Sequence, residues 1–190
     1  MMGSSVVFRR LFDANALAPL GYCEHAELVF SSVPITVTAN CYKELRSGKD
    51  DRSKPFAYRE GAKIAYEHVA DYQHRENLAL YPAPGSPPYN ATNGGEKSIR
   101  TAFFGRPEAF DTVVGYDDDL GPILRPVRER GIEFDIVPPN EPLYFLYRKG
   151  CLTEDDFCVI TRNIIEDQGW RASSNVDLFW RFPVDCTEFK

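Results

Sequence analysis

The sequence predicts a single α+β domain over residues 1–190, with a small mixed or antiparallel sheet, several helices and a long Pro/Gly-rich arm at 82–97. Three observations support this. The chain has 190 residues, 43% of them hydrophobic and 26% charged, which suits one globular core rather than a disordered chain. Apolar stripes of helical period and apolar alternations of strand period both occur along it. No internal repeat divides it, and the arm is its one candidate seam.

The elements follow in order. A first helix is expected over 5–18, capped by Ser4 or Ser5, with Val7, Phe8, Leu11, Phe12 and Leu17 on its apolar side; Pro19 and Gly21 end it. Residues 26–38 read as β-structure, with Val33, Ile35 and Val37 alternating with Pro34, Thr36 and Thr38. Pro34 cannot donate to a ladder, so that strand is expected at an edge or a bend. Asn40 caps a short helical turn, and a charged patch runs on to Pro55.

The longest helix is expected over 54–79, where Tyr58, Ala62, Ala65, Val69 and Tyr72 make one stripe; Gly61 lowers its stability. The stretch "YPAPGSPPYNATNGGEK" (81–97) is too rich in Pro and Gly for a regular element, and loops of that length are commonly functional. Residues 98–104 read as a strand, 107–114 as a short helix and 115–122 as a polar turn. A helix disturbed by Pro126 ends near Arg130, and Ile132, Phe134 and Ile136 alternate in a short strand.

Residues 142–149 and 154–168 read as two helices meeting at a corner. Gly150 suits the position just past the first helix, and Thr153 caps the second with Asp156 three residues on. Glu154, Asp155 and Asp156 then lie where the helix dipole favours negative charge, and Phe157, Ile160, Ile164 and Ile165 form the inward stripe. The tail reads as a strand with Val176, Leu178 and Trp180 on one face.

The chemistry-bearing patterns are sparse. The formal net charge is −6, with 22 basic residues against 28 acidic ones, so no nucleic-acid partner is expected from the charge balance. No apolar stretch has the length of a membrane span, and none is expected. Five cysteines (23, 41, 151, 158 and 186) with irregular spacing read as free thiols in a reducing, intracellular setting. Nothing matches a nucleotide-cradling loop, a nucleophile elbow or a zinc-helix spacing, so no catalytic residue, cofactor or metal is assigned. The run Asp117, Asp118, Asp119 is the sharpest charge cluster; it reads as a solvated turn, with cation binding left open.

The functional expectation is a non-catalytic structural or accessory subunit of a larger protein assembly, such as a virion or tail component or an organellar complex subunit. Its partners would be other protein subunits. The contacts would lie on the arm and termini, through Tyr81, Pro84, Pro87, Tyr89, Phe103 and Phe104, with Trp170 and Trp180 as further anchors, because interfaces favour aromatics. The alternative is a small α+β enzyme or ligand-binding domain without a recognisable signature.

Overall fold

The computed structural model describes residues 9–167 and 181–187. Ser4, Ser5, Val7 and Phe8 of the expected first helix, Trp170, and the tail positions Val176, Leu178 and Trp180 lie outside the described residues.

Leu11 and Phe12 do not sit on a helix. They belong to strand β1 (Arg10–Phe12), both fully buried. Helix α1 (Ala14–Tyr22) follows, with the Asp13 side chain accepting from the Asn15 amide at 3.3 Å as its cap. Pro19 and Gly21 lie inside this helix rather than ending it. Residues expected as one long strand split into helix α2 (Ala26–Ser32) and strand β2 (Ile35–Thr38).

Thr38 ends β2 and caps helix α3 (Ala39–Gly48) by accepting from the Cys41 amide at 3.2 Å. Helix α4 (Phe56–Ala70) is shorter than expected; a 3-10 turn at Tyr72–His74 leads to strand β3 (Leu78–Tyr81). Beyond the loop at 82–93, helix α5 (Gly94–Gly105) replaces the expected strand at 98–104. Strand β4 (Thr112–Val114) occupies the end of the expected helix at 107–114, and helix α6 (Asp117–Glu129) begins inside the expected turn. Strand β5 (Asp135–Val137), helix α7 (Glu141–Arg148) and helix α8 (Glu154–Asp167) follow.

The sheet corrects the predicted fold class. It is not mixed or antiparallel: among the described residues five strands run in the order β3-β2-β1-β4-β5 and every pair is parallel. Leu11 lies between Thr36 and Val113, so β1 is central. The architecture is α/β, because parallel neighbours need crossover connections and helices here supply them. β2 is also internal, between β1 and β3. Pro34 precedes its first ladder residue, so its missing N–H costs the ladder nothing.

α1 and α4 cross closely, and the crossing explains two glycines. A Cβ at Gly61 would run into the Ala18 carbonyl, and one at Gly21 into the Gly61 carbonyl. Gly61 therefore serves contact, whatever it subtracts from helix propensity.

The α7–α8 corner matches its sequence reading. Gly150 has φ +72°, and the Cys151 amide donates to the Leu146 carbonyl at 2.9 Å. Asp156 N–H donates to Thr153 Oγ1 at 3.1 Å while Thr153 N–H donates to Asp156 Oδ2 at 2.9 Å, a reciprocal cap. The cysteine reading is corrected at two positions: a disulfide joins Cys158 on α8 to Cys186, while Cys23, Cys41 and Cys151 are free. Among the described residues no helix is long and apolar enough to cross a membrane.

Candidate active site

In an open parallel sheet, ligands bind beyond the carboxyl ends of the strands, where the strand order reverses. Here that point lies between β1 and β4. The first residue past β1 is Asp13, 1% exposed and held by a ladder bond from its amide to the Val114 carbonyl at 3.0 Å. A carboxylate at the switch point of the sheet is the first element of a site.

The second comes from α3, which leaves the carboxyl end of β2. Cys41 and Glu44 are one helical turn apart and share a face. The Cys41 thiol donates to Asp13 Oδ1 at 3.8 Å. Ligand atoms of Asp13, Cys41 and Glu44 all lie within 4.8 Å of one another.

The third comes from the N-terminus of α5. The Gly95 amide donates to Glu44 Oε1 at 2.7 Å, and a side chain at Gly95 would overlap the Glu44 carboxylate. Glu96 follows in the first turn. This helix end is fixed from behind: Thr38 and Ser98 hydroxyls lie 2.5 Å apart, and Ser98 donates to the Gly95 carbonyl at 2.6 Å. Asn40 Nδ2 donates to the carbonyls of Pro87 at 2.8 Å and Gly94 at 3.1 Å, tying the loop to α3. The expected capping role of Asn40 is thus replaced by a loop clamp.

The electrostatics agree with the geometry. Burial, then the charges of Glu96 and Glu44, hold the Asp13 carboxyl well above its usual range. Burial raises Glu44 to about 7, against a stabilising bond from Gly95 and with Glu96 adding to the rise. The Tyr58 and Tyr116 phenols are raised too, by burial first and then by Asp13 among other charges; for Tyr116, Asp119 adds to it. Tyr58 donates to Asn15 Oδ1 at 3.3 Å. Glu96 and Glu44 repel the Asp13 charge beneath them, and these two acids line a cleft of about 440 Å³ with Asn15, Tyr58, Lys54, Tyr89, Asn90 and Asn93.

This donor set fits a hard divalent cation. Such ions take carboxylate oxygens and keep several waters, and mutually repelling carboxylates gain from one between them. Asp13, Glu44 and Glu96 would hold it. No metal ligand is expected from the sequence, and the run left open there, Asp117 to Asp119, lies elsewhere: all three are exposed in the first turn of α6, with Asp117 and Asp118 beside a hollow shared with Arg125 and Arg128. Asp119 alone among them is felt by Tyr116 together with Asp13.

The expected contact residues are spread widely. Tyr81 ends β3 with its ring 5.4 Å from Phe110, and Pro84 is exposed in the loop. Pro87 is bonded to Asn40, and Tyr89, 39% exposed, lines the cleft with Lys43 5.8 Å from its ring. Phe104 lies under Arg130 at 4.1 Å. Phe103 is fully buried against Phe134, which removes it from any surface.

Comparisons with curated proteins and with solved structures each find no match. The sequence profile of the family described as Halobacterial PIN domain matches residues 1–190. That match overturns the expectation of a non-catalytic virion, tail or organellar subunit, and favours the alternative of a small enzyme or ligand-binding domain. With the profile spanning the whole chain and a parallel sheet carrying acids at its switch point, the chain belongs to the Halobacterial PIN domain family.

Proposed function

We propose that this chain is a metal-dependent nuclease, hydrolysing phosphodiester bonds of single-stranded nucleic acid at the Asp13–Glu44–Glu96 cleft. PIN domains are typically nucleases. The observation that carries the reading is the convergence of Glu44 from α3 and Glu96 from α5 on buried Asp13. Like charges gathered in a partly buried cleft are unfavourable for stability alone, and such arrangements concentrate at functional sites.

When bound, a divalent cation there would neutralise charge on the scissile phosphoryl group and make water a stronger nucleophile. The protein's own part is positioning. The Gly95 amide fixes one oxygen of Glu44, and the Thr38–Ser98–Gly95 bonds fix that amide. Asn15 is oriented by Tyr58. Lys54 supplies positive charge at the rim, and Asn90 and Asn93 offer neutral donors. Tyr89 is an exposed ring on which an unpaired base can stack, with Lys43 beside it.

The expectation of no nucleic-acid partner rests on the whole-chain charge of −6. That charge disfavours tracking along a duplex. It does not bear on a short strand held by a cation and stacked on one aromatic. An intracellular location is part of the same proposal, as are a single domain and a substrate-contacting role for the loop between β3 and α5. No protein partner is needed for it.

The test is cleavage of labelled single-stranded RNA and DNA by the purified chain with Mg²⁺ or Mn²⁺, chelator controls and the Glu96→Gln variant. Cation-dependent cleavage lost in the variant supports the reading. Absence of cleavage in every combination, or equal cleavage by the variant, rejects it.

A further inference from the structure

We propose that Cys41 gives this cleft a second binding mode: a soft-cation site in which Cys41 Sγ, Asp13 and Glu44 together take zinc or cadmium. This goes beyond the nuclease reading. It rests on the thiol's position, not on catalysis.

The sulfur stands 3.8 Å from Asp13 Oδ1. In a tetrahedral site with a sulfur bond of ~2.3 Å and a carboxylate bond of ~2.0–2.2 Å, those two atoms would lie roughly 3.6 Å apart. The observed separation thus needs only a small adjustment. Glu44 closes the triangle, since all three ligand atoms lie within 4.8 Å of one another. One sulfur and two carboxylates leave a fourth position for water or substrate, as in open zinc sites.

The surroundings hold these ligands in place. The Cys41 amide donates to Thr38 Oγ1, which anchors the start of α3. The Gly95 amide bonded to Glu44 is the outer support that orients a ligating carboxylate. The other free thiols are placed differently: Cys23 donates to the Leu20 carbonyl at 3.1 Å, and Cys151 is exposed at the α7–α8 corner.

A thiol is a poor ligand for magnesium and a good one for zinc or cadmium, so the same pocket distinguishes the two classes of ion. A hard ion would use Asp13, Glu44 and Glu96 and leave the thiol protonated. A soft ion would form a sulfur–metal bond as the sulfur–hydrogen bond breaks, releasing the proton to water.

The experiment is a cadmium titration of the full chain with its disulfide intact. It reads the ultraviolet thiolate-to-cadmium charge-transfer band, with stoichiometry from equilibrium dialysis. One bound equivalent with the band is expected. Cys41→Ser should abolish the band, and Asp13→Asn should weaken binding about tenfold or more with unchanged circular dichroism. Cys23→Ser and Cys151→Ser should keep both band and affinity. A band of full intensity in Cys41→Ser, its loss in Cys151→Ser, or unaltered affinity in Asp13→Asn overturns the proposal. A Cys41-dependent band in a chain that cleaves nothing supports this site and removes the nuclease reading. Mn²⁺-dependent cleavage without such a band does the reverse.

Discussion

At the first turn of α8, Glu154, Asp155 and Asp156 are consecutive in sequence. Around Asp13, by contrast, Glu44 and Glu96 come from distant parts of the chain and meet in space. The two groups use the same chemistry to opposite ends. Asp156 is bonded by the Thr153 amide and hydroxyl, which lowers its pKa and stabilises its charge. Asp13 is raised by burial and then by Glu96 and Glu44, and Glu44 by burial and then by Glu96. Contiguous exposed acids serve the helix that carries them. Dispersed acids gathered by a sheet form a place that wants a cation.

Substitutions at the two acid groups test the difference between them. The largest expected effect is on stability behind the α8 turn: Ile160 is 2% exposed, and Ile160→Ala should cost about 2–5 kcal/mol in urea unfolding. A cost near zero would detach the acid turn from the core it is said to serve.

Next is the pH response of the metal-free protein. Folding raises Glu44 from 4.5 to about 7, so the folded chain binds more protons than the unfolded chain between those values. Stability should be fully present below about pH 4.5 and fall as pH rises to about 7, by on the order of 2 kcal/mol from this residue. Glu44→Gln should flatten that slope and leave the protein more stable at pH 8, as happens when a strained functional group is removed. Urea midpoints across pH measure both. A stability that rises over that window in wild type and is unchanged by Glu44→Gln would refute the assignment.

The smallest effect belongs to the cap. Thr153→Ala should lower stability by about 1 kcal/mol, read as a shift in urea midpoint. It should leave cation binding unchanged. The two clusters then respond with opposite signs: removing an acid from the cleft stabilises, and removing the cap from α8 destabilises.

The α7–α8 corner was legible because all its determinants are local: Gly150, Thr153, Asp156 and the Ile160–Ile164 stripe fall within a few turns. The strands Ile35–Thr38 and Asp135–Val137 were legible for their alternation. The sheet as a whole was not. β1 and β4 have three residues each, too short to show a period, and Leu11 and Phe12 fit a helical stripe equally well. Residues 98–104 have strand composition but lie in a helix that starts at Gly94 and Gly95, where close approach to Tyr89 and to Glu44 respectively demands glycine. With those elements misread, the strand–helix alternation that marks a parallel sheet disappeared.

The site was illegible for the same reason. Asp13, Glu44 and Glu96 carry no spacing signature, and only the parallel topology brings them together. One signal was available in "RRLFDAN": a short apolar run ending in an acid and leading into a helix is what a strand feeding a switch-point carboxylate looks like. The Pro/Gly-rich arm at 82–97 reads as functional from its composition; the structure makes 94–97 the start of α5, and Tyr89, Asn90 and Asn93 of the remaining loop line the cleft.

Calorimetric titration of Mn²⁺ into the wild-type chain and into Asp13→Asn, Asp118→Asn and Asp155→Asn locates the cation. Binding should be lost in Asp13→Asn and kept in the other two. Binding that survives Asp13→Asn and disappears with Asp118→Asn would place the cation on the exposed α6 turn and contradict a site at Asp13.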